Sequence, residues 1–182
     1  MVLVAGLAGC ATAPENKPAE EGKPEISEAT RTAYAQALEL LRDEHYEQAI
    51  SAMKGVAERN DALAGPYVNI GIAERALGEP DKARKALEAA VERDDANAAA
   101  YNQLGLLHRK AGRFAEARAA YEAGIKADPD YANLYRNLGI LCDIYLQDPQ
   151  CALKNFRAYK ERMEGNDEKI TRWIADVERR TQ

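Results

Sequence analysis

The side chains that usually carry out chemistry are few in this chain, and their spacing suits no familiar reaction. The two histidines, His45 and His108, have no sequence neighbours suited to general acid–base catalysis. The sequence contains no HExxH zinc motif, no glycine-rich phosphate loop and no GxSxG nucleophile motif. Its cysteines lack the spacing of metal ligands. We therefore expect a protein that is not an enzyme and that holds no metal or cofactor.

Composition narrows the fold class and the partners. Hydrophobic residues make up 46% and charged residues 30% of the 182 residues, as in a globular protein with a core. Ala, Leu, Glu, Arg and Lys dominate, and these residues favour helix over strand. The net charge is −5, without a basic tract, which argues against nucleic acid because its binding requires many phosphates to be neutralised. We expect an all-α protein that binds no nucleic acid.

The N-terminus carries a targeting signal. The apolar run at residues 2–9 is too short for a transmembrane helix, which needs about 20 residues, and is typical of a signal peptide. Leu7-Ala8-Gly9-Cys10 resembles the lipobox of bacterial lipoproteins, which implies cleavage after residue 9, lipidation of Cys10 and anchoring in a membrane. Ala11, where inner-membrane lipoproteins have Asp, favours the outer membrane and a periplasmic orientation. No Lys or Arg precedes the apolar run, so the start of the signal peptide is expected upstream; an apolar fragment with an unmodified thiol is the alternative.

A tether is predicted between this signal and the folded part. Residues 11–25 hold three prolines, a glycine and six charged residues, with no large apolar residue. Such a segment cannot bury enough surface to order itself. We assign residues 1–9 to the signal peptide, 10–26 to the lipidated cysteine and a flexible tether, and 27–182 to the folded domain.

Similar residues recur every 34 positions in that domain. In the first half of each unit the recurring residues are aromatic, aliphatic and glycine: Tyr67, Tyr101 and Tyr135; Ile70, Leu104 and Leu138; Gly71, Gly105 and Gly139. In the second half a small residue is followed by a large one four places later: Ala49, Ala83 and Ala117; Met53, Leu87 and Tyr121. These spacings place each set on one face of a helix, and glycine or alanine at the crossing lets two antiparallel helices approach closely.

These positions resemble the tetratricopeptide repeat, which implies a right-handed superhelical stack of antiparallel helical hairpins. We assign repeats to residues 30–63, 64–97, 98–131 and 132–166, followed by a capping helix at 167–180. The fourth repeat has one inserted residue, because Ala152 and Phe156 lie one place later than in the other repeats. His108 takes the place of a core tyrosine and is expected to be structural, and Trp173 of the capping helix is expected to pack in the core.

The second and third cysteines flank the turn of the fourth hairpin. Cys142 and Cys151 lie on its two helices at similar heights if the turn is near residues 146–148. A disulfide requires Cα atoms within about 7 Å, and an exported protein meets an oxidising compartment. We predict a disulfide between them, with two buried thiols as the alternative.

The resemblance also implies a concave groove lined by the first helix of each hairpin, at the second, fifth, ninth, twelfth and thirteenth positions of each repeat. Six of these positions are basic and one, Asp143, is acidic. The predicted partner-binding residues are Arg31, Tyr34, Leu38, Arg42, Val68, Ile72, Arg75, Asn102, Leu106, Arg109, Lys110, Asn133, Arg136 and Ile140. Such a surface suits a peptide or helix with apolar anchors and carboxylates. Alternatively, the arginines only solubilise this face or pair with glutamates of the second helices.

The leading functional hypothesis is a membrane-anchored adaptor that holds a protein partner while a bacterial envelope complex assembles or operates. Lipoproteins of this kind resemble type IV pilus pilotins, outer-membrane assembly components and repeat lipoproteins of energy-transducing import systems. Two alternatives remain open. One is a self-associating structural lipoprotein whose repeats stack across a homo-oligomer interface, and the other is a substrate adaptor for an envelope hydrolase.

Overall fold

The computed structural model describes residues 26–163, 165 and 167–181, and these residues form helices and turns without a strand. The predicted signal peptide, Cys10 and the tether up to residue 25 lie outside them. Among the described helices, none is both long enough and apolar enough to cross a bilayer.

The described residues form nine α-helices, of which the first eight pair into four antiparallel hairpins. Their bounds are α1 Glu28–Arg42, α2 Tyr46–Arg59, α3 Ala64–Ala76, α4 Pro80–Arg93, α5 Ala98–Lys110, α6 Phe114–Ala127, α7 Ala132–Ile140, α8 Pro149–Arg162 and α9 Glu168–Arg180. The first helices α1, α3, α5 and α7 contact one another in order, and each second helix contacts the first helix of the next hairpin. This is the predicted all-α stack of hairpins, and the fold class is confirmed.

Local sequence explains where the helices begin and end. The side chain of Asp148 accepts a hydrogen bond from Cys151 N at 2.9 Å and so caps α8, with Pro149 at the first helical position. Each turn inside a hairpin needs one residue of positive φ to end the first helix. Glycine supplies it in the middle two hairpins, whereas Glu44 and Gln147 adopt φ of 61° and 52° in the outer two.

The recurring glycines mark the points where paired helices touch. A Cβ on Gly71 would lie 2.6 Å from Cγ of Leu87, much closer than carbon atoms approach. A Cβ on Gly105 would collide with the ring of Tyr121, and one on Gly139 with the ring of Phe156. In each of these contacts, the glycine and the large side chain belong to the same repeat. Both had been identified from the repeat pattern, so the sequence predicted both residues of the contact.

The inserted residue of the fourth repeat is absorbed by a π-helical turn at Leu141–Tyr145, which continues α7. Leu146 N donates to Leu141 O at 3.1 Å, a bond that spans five residues instead of four. A single extra residue in a helix commonly forms such a turn, because the wider loop accommodates it without breaking the helix. Ile144 and Tyr145 within the turn are 62% and 43% exposed.

The capping helix α9 closes the C-terminal end of the stack against α8. Ile170 and Val177 on its inner face are buried with the core of the fourth hairpin. Trp173 is half-buried, and its ring lies 5.5 Å from that of Phe156. At the opposite end, none of the large apolar side chains of the described helices α1 and α2 is fully exposed.

Candidate functional site: the concave groove

The first helices lie side by side and form a groove with three openings of different chemistry. We call them the N-terminal cleft, between α1 and the start of α3; the turn-edge cavity, between the ends of α3 and α5; and the C-terminal cavity, between α5, α7 and α9. Their volumes are about 320, 330 and 560 Å³ respectively. The groove is thus divided along the stack.

The C-terminal cavity gathers six of the predicted groove residues, namely Asn102, Leu106, Arg109, Asn133, Arg136 and Ile140. Its floor is polar, because the buried Asn102 and Asn137 lie there and Asn137 Nδ2 donates to Asn102 Oδ1 at 2.8 Å. This bond joins α5 to α7 and holds two neighbouring repeats in one position. The cavity is therefore a preformed polar site and not a slot in the apolar core.

Three groove arginines have N–H groups that are buried and bonded to no atom of the described chain. These groups are Nε of Arg75, Nη1 of Arg109 and Nε of Arg136. None of the three side chains makes an ion pair with a described acidic residue. A charged donor that is desolvated without an acceptor costs free energy. Since none of the three guanidinium groups donates a hydrogen bond within the described chain, their accessible N–H groups are available to a ligand carboxylate.

Arginines on the second helices behave differently. Arg84 pairs with Glu88 at 2.9 Å and Arg118 pairs with Glu122 at 2.8 Å, each within its own helix. Arg157 of α8 pairs with Glu178 of α9 at 2.6 Å. These are exposed surface pairs of the ordinary kind. The sequence left open that the groove arginines pair with glutamates of the second helices. The arginines that make such pairs lie on the second helices themselves, which form the convex side of the stack. Arg75, Arg109 and Arg136 do not pair in this way.

The acidic residues near the groove are already engaged. Asp143, the acidic residue among the predicted groove positions, accepts a hydrogen bond from Arg180 at 2.7 Å. Asp167 caps α9 and also lines the C-terminal cavity. Hydrogen bonds from the backbone N–H groups of Ile170 and Lys169 hold the pKa of Asp167 below its usual value, with a smaller effect from Arg136. Asp167 is thus ionised but occupied by its own helix.

The N-terminal cleft is almost wholly apolar and contains the predicted residues Arg31, Tyr34 and Leu38. Asn69 Nδ2 donates to Tyr34 Oη at 2.7 Å, and burial is the main reason why the pKa of Tyr34 is raised. Gly65 and Pro66 form the opposite wall. The cleft has the size and lining to take one large apolar side chain, with Arg31 exposed at its rim.

The remaining predicted groove residues lie elsewhere. Arg75 and Lys110 line the turn-edge cavity. Val68 is only 7% exposed and belongs to the core, and Ile72 packs against the same core cluster. Arg42 is exposed and pairs with Glu39 on its own helix. The structure therefore does not bring Val68, Ile72 or Arg42 to any of the three openings.

The structure adds a wall that sequence reasoning missed. Lys169, Ile170 and Trp173 of α9 close one side of the C-terminal cavity, and Lys169 Nζ lies 4.9 Å from the centre of the Trp173 ring. Trp173 was expected only to pack in the core, but it both packs and lines the cavity. Gln103, next to the predicted Asn102, is a further lining residue, and its Oε1 is buried without a described donor. No repeat position points to α9, because it stands outside the 34-residue register.

Cys142, Cys151 and His108 line none of the three openings. Cys142 and Cys151 form a disulfide with Cα atoms 5.7 Å apart, which ties the π-helical turn to α8. His108 is half-buried and its Nδ1 accepts a hydrogen bond from Arg113 Nε at 3.1 Å. Burial, and then the charge of Arg113, lower the pKa of His108. Among the residues that the structure describes, no group of three or more His, Cys, Asp or Glu side chains could hold a metal ion.

Comparison with known proteins agrees with this architecture. Residues 68–132 match the tetratricopeptide repeat family. No curated protein sequence matches the chain.

Several solved structures share the fold. The MamA chain in one crystal structure is 24% identical in sequence to this chain. The match covers 73% of this chain and 77% of MamA, with a TM-score of 0.63. The chain in the structure of Pseudomonas aeruginosa pilF is 20% identical to this chain. The match covers 82% of this chain and 68% of pilF, with a TM-score of 0.73. A chain of the APC/C hetero-tetramer Cut9–Hcn1 is 16% identical to this chain; the match covers 84% of this chain and 30% of that one, with a TM-score of 0.69. The described residues therefore have the fold of a tetratricopeptide repeat solenoid, and the match to the family itself extends over residues 68–132.

Proposed function

We propose that this protein is a membrane-anchored adaptor of the bacterial envelope, which holds a segment of a protein partner in its concave groove. Tetratricopeptide repeats in general serve as protein interaction scaffolds and not as enzymes. The observation that supports groove binding here is that the half-buried guanidinium groups of Arg75, Arg109 and Arg136 donate no hydrogen bond within the described chain. Arginine pairs carboxylates bidentately, so an acidic partner segment would pair with the N–H groups of these side chains that are accessible from the groove.

Anchoring rests on the sequence at Leu7-Ala8-Gly9-Cys10. Lipidation of Cys10 would hold the folded domain about 20 Å from the membrane. This distance is the root-mean-square end-to-end length of a flexible chain as long as the tether predicted from the sequence. At that distance the groove is free to meet soluble or membrane-bound partners in the periplasm. Ala11 after the cysteine favours the outer membrane.

Groove binding can be tested by reversing charge on one face of the stack and comparing it with the other. Arg75→Glu, Arg109→Glu and Arg136→Glu together change the groove, and Arg84→Glu, Lys85→Glu and Arg118→Glu change surface positions of the second helices by the same total charge. We expect crosslinking in intact cells to capture a partner with the wild type and with the second-helix variant but not with the groove variant. Equal capture by the groove variant would place the interface elsewhere.

The anchor has a separate test. In fractionated cells the wild type should be found in the outer membrane, and Cys10→Ser should release the protein from it or leave it as an uncleaved precursor. A wild type found in the soluble fraction would contradict the anchor and leave the groove hypothesis standing.

Self-association is less well supported by the structure. At the C-terminal end of the described stack, α9 covers the core of the fourth hairpin. At the N-terminal end, the apolar surface that the structure describes is the narrow N-terminal cleft, which is far smaller than a stable dimer interface. Light scattering on the purified protein decides this point, because a monomer mass that does not change with concentration excludes the structural alternative.

A further inference from the structure

The two cysteines of the disulfide have different surroundings. Cys142 is 0% exposed and lies in the core of the fourth hairpin with Leu138, Leu141 and Phe156. Cys151, in the first turn of α8, is half-buried. The bond therefore joins a sulfur that no external molecule can reach to a sulfur near the protein surface.

Cys151 lines a cavity of about 530 Å³ between α6, α7 and α8, which we call the second-helix cavity. This cavity shares no lining residue with the three openings of the concave groove. Tyr135 and Leu138 contribute to its apolar part. Lys154 also lines it, is exposed, and makes no ion pair with an acidic residue of the described chain. The cavity is thus a separate approach to Cys151, with a cation at its edge.

A hydrogen-bond donor lies beside the sulfur of Cys151. Nδ2 of the buried Asn155 donates to Cys151 O at 2.8 Å and lies 3.5 Å from Cys151 Sγ. A donor at this place favours a negatively charged sulfur, and the thiolate is the form that attacks. The carboxylate of Asp148 would oppose the charge, but it accepts a hydrogen bond from Cys151 N as the cap of α8. The apolar surroundings of Cys142 favour a neutral thiol instead.

We propose that Cys151 is the sulfur through which the folded protein acquires its disulfide, by exchange with an external disulfide that enters the second-helix cavity. In the reduced protein, the Cys151 thiolate attacks one sulfur of the external disulfide. A mixed disulfide forms, the external S–S bond breaks, and one external thiolate leaves with the electron pair.

Cys142 completes the exchange. Its sulfur attacks Cys151 Sγ, which is within reach because the two Cα atoms lie 5.7 Å apart. The mixed disulfide breaks, the second external thiolate leaves, and the proton of Cys142 passes to a departing thiolate. Two protein thiols are oxidised and one external disulfide is reduced to two thiols.

The same difference between the sulfurs protects the finished bond. An external thiolate can reach Cys151 Sγ but not Cys142, so its attack must expel Cys142 as a thiolate into apolar surroundings. A thiol of raised pKa leaves slowly. The disulfide therefore forms without unfolding and is reduced slowly while the protein is folded. This inference does not depend on what the concave groove binds.

The test uses oxidised glutathione as the external disulfide and full-length protein in which Cys10→Ser removes the third thiol. We compare reduced Cys142→Ala with reduced Cys151→Ala and follow the mixed disulfide by mass spectrometry. Glutathione should add to Cys151, in the first variant, about tenfold faster or more than to Cys142, in the second. In concentrated urea the two rates should agree within about twofold, because unfolding exposes both thiols equally.

A charge variant tests the approach through the cavity. Oxidised glutathione carries a net negative charge, so Lys154→Glu should slow its addition to Cys151 by about threefold or more. Lys160→Glu is the matched control, because Lys160 is an exposed lysine of α8 that does not line the cavity. It should leave the rate nearly unchanged.

Circular dichroism shows whether each variant is folded. Should Cys151→Ala be unfolded, reduced protein with both cysteines is exposed briefly to oxidised glutathione, quenched with acid and digested. The first glutathione should then be found on the peptide that contains Cys151. Equal addition to both cysteines in folded protein, faster addition to Cys142, or equal slowing by the two lysine variants would overturn the inference.

Discussion

The closest helix contact in the third hairpin gives a prediction with a calculable size. Gly105 on α5 faces Tyr121 on α6, and an added Cβ would lie 2.5 Å from Cδ1 and 2.7 Å from Cζ of the ring. Tyr121 is 0% exposed, so its ring has no space to move into. Overpacking of this kind costs about 1–3 kcal/mol, and three ring atoms are affected, so we take about 3 kcal/mol. Alanine in place of glycine in a helix returns about 1 kcal/mol. Gly105→Ala should therefore lower the free energy of unfolding by about 2 kcal/mol.

Gly55 provides the matched control. It also lies inside a helix, α2, but no heavy atom is within 4 Å of the position of its added Cβ. Gly55→Ala should thus show only the helix-propensity gain of about 1 kcal/mol. For a domain of this size the melting temperature should fall by about 4–8 °C in Gly105→Ala and rise by about 2–4 °C in Gly55→Ala.

Urea unfolding followed by circular dichroism at 222 nm measures both variants, with an unchanged denaturant slope as evidence that only stability differs. The reasoning is refuted if Gly105→Ala is stabilised as much as Gly55→Ala. That outcome would mean that α5 and α6 lie farther apart than the structure places them, and Arg109, which α5 carries into the groove, would then be displaced as well.

Three further predictions concern the turns, the disulfide and pH. Gln147 has φ of 52° where the middle repeats have glycine, and a non-glycine residue in this conformation costs about 1–2 kcal/mol. Gln147→Gly should therefore raise the free energy of unfolding, measured in urea, by about 1 kcal/mol. The control Gln150→Gly lies inside α8 and should lower it. The Cys142–Cys151 disulfide closes a loop with a sequence separation of nine residues, so its reduction should lower the free energy of unfolding by about 2–3 kcal/mol. A free-thiol assay that finds both cysteines reactive without reductant would contradict the pairing. The lowered pKa of folded His108 means that the unfolded chain binds its proton first as pH falls. His108 should therefore reduce stability from about pH 6.5 downward to its folded pKa, and His108→Gln should lose less stability than wild type between pH 7.5 and 5.5; parallel pH curves would show that His108 does not contribute.

The fold was largely predictable because its determinants are local. A 34-residue register pairs Gly71 with Leu87 and Gly105 with Tyr121 within single repeats, and these pairs set how closely each hairpin packs. Glycine, Asp and Pro at the turns set the helix ends. The same register showed the extra residue of the fourth repeat, although the sequence did not show that a π-helical turn would absorb it.

One recurring contact was visible in the register but was not recognised. The guanidinium groups of Arg59, Arg93 and Arg162, near the ends of second helices, donate to backbone carbonyls that precede or begin the first helix of the same repeat. Arg93 also lies 3.8 Å from the ring centre of Tyr67 and Arg162 lies 4.2 Å from that of Tyr135. The spacing of 34 indicated equivalent positions, but only the tertiary structure shows what the side chains contact.

The sequence by itself determined that the chain is a stack of helical hairpins, which residues face each other inside a hairpin, and that the first helices carry an excess of basic residues. The tertiary structure decided which of those residues are open to a ligand. Val68 is buried, Arg42 pairs on its own helix, and Trp173 and Lys169 reach the cavity from α9. The physical reason is that facing within a hairpin follows from helical periodicity, whereas a cavity wall depends on the angles between elements far apart in sequence. Those angles result from the packing of many side chains together, so they cannot be predicted from the residue at any one position of the repeat.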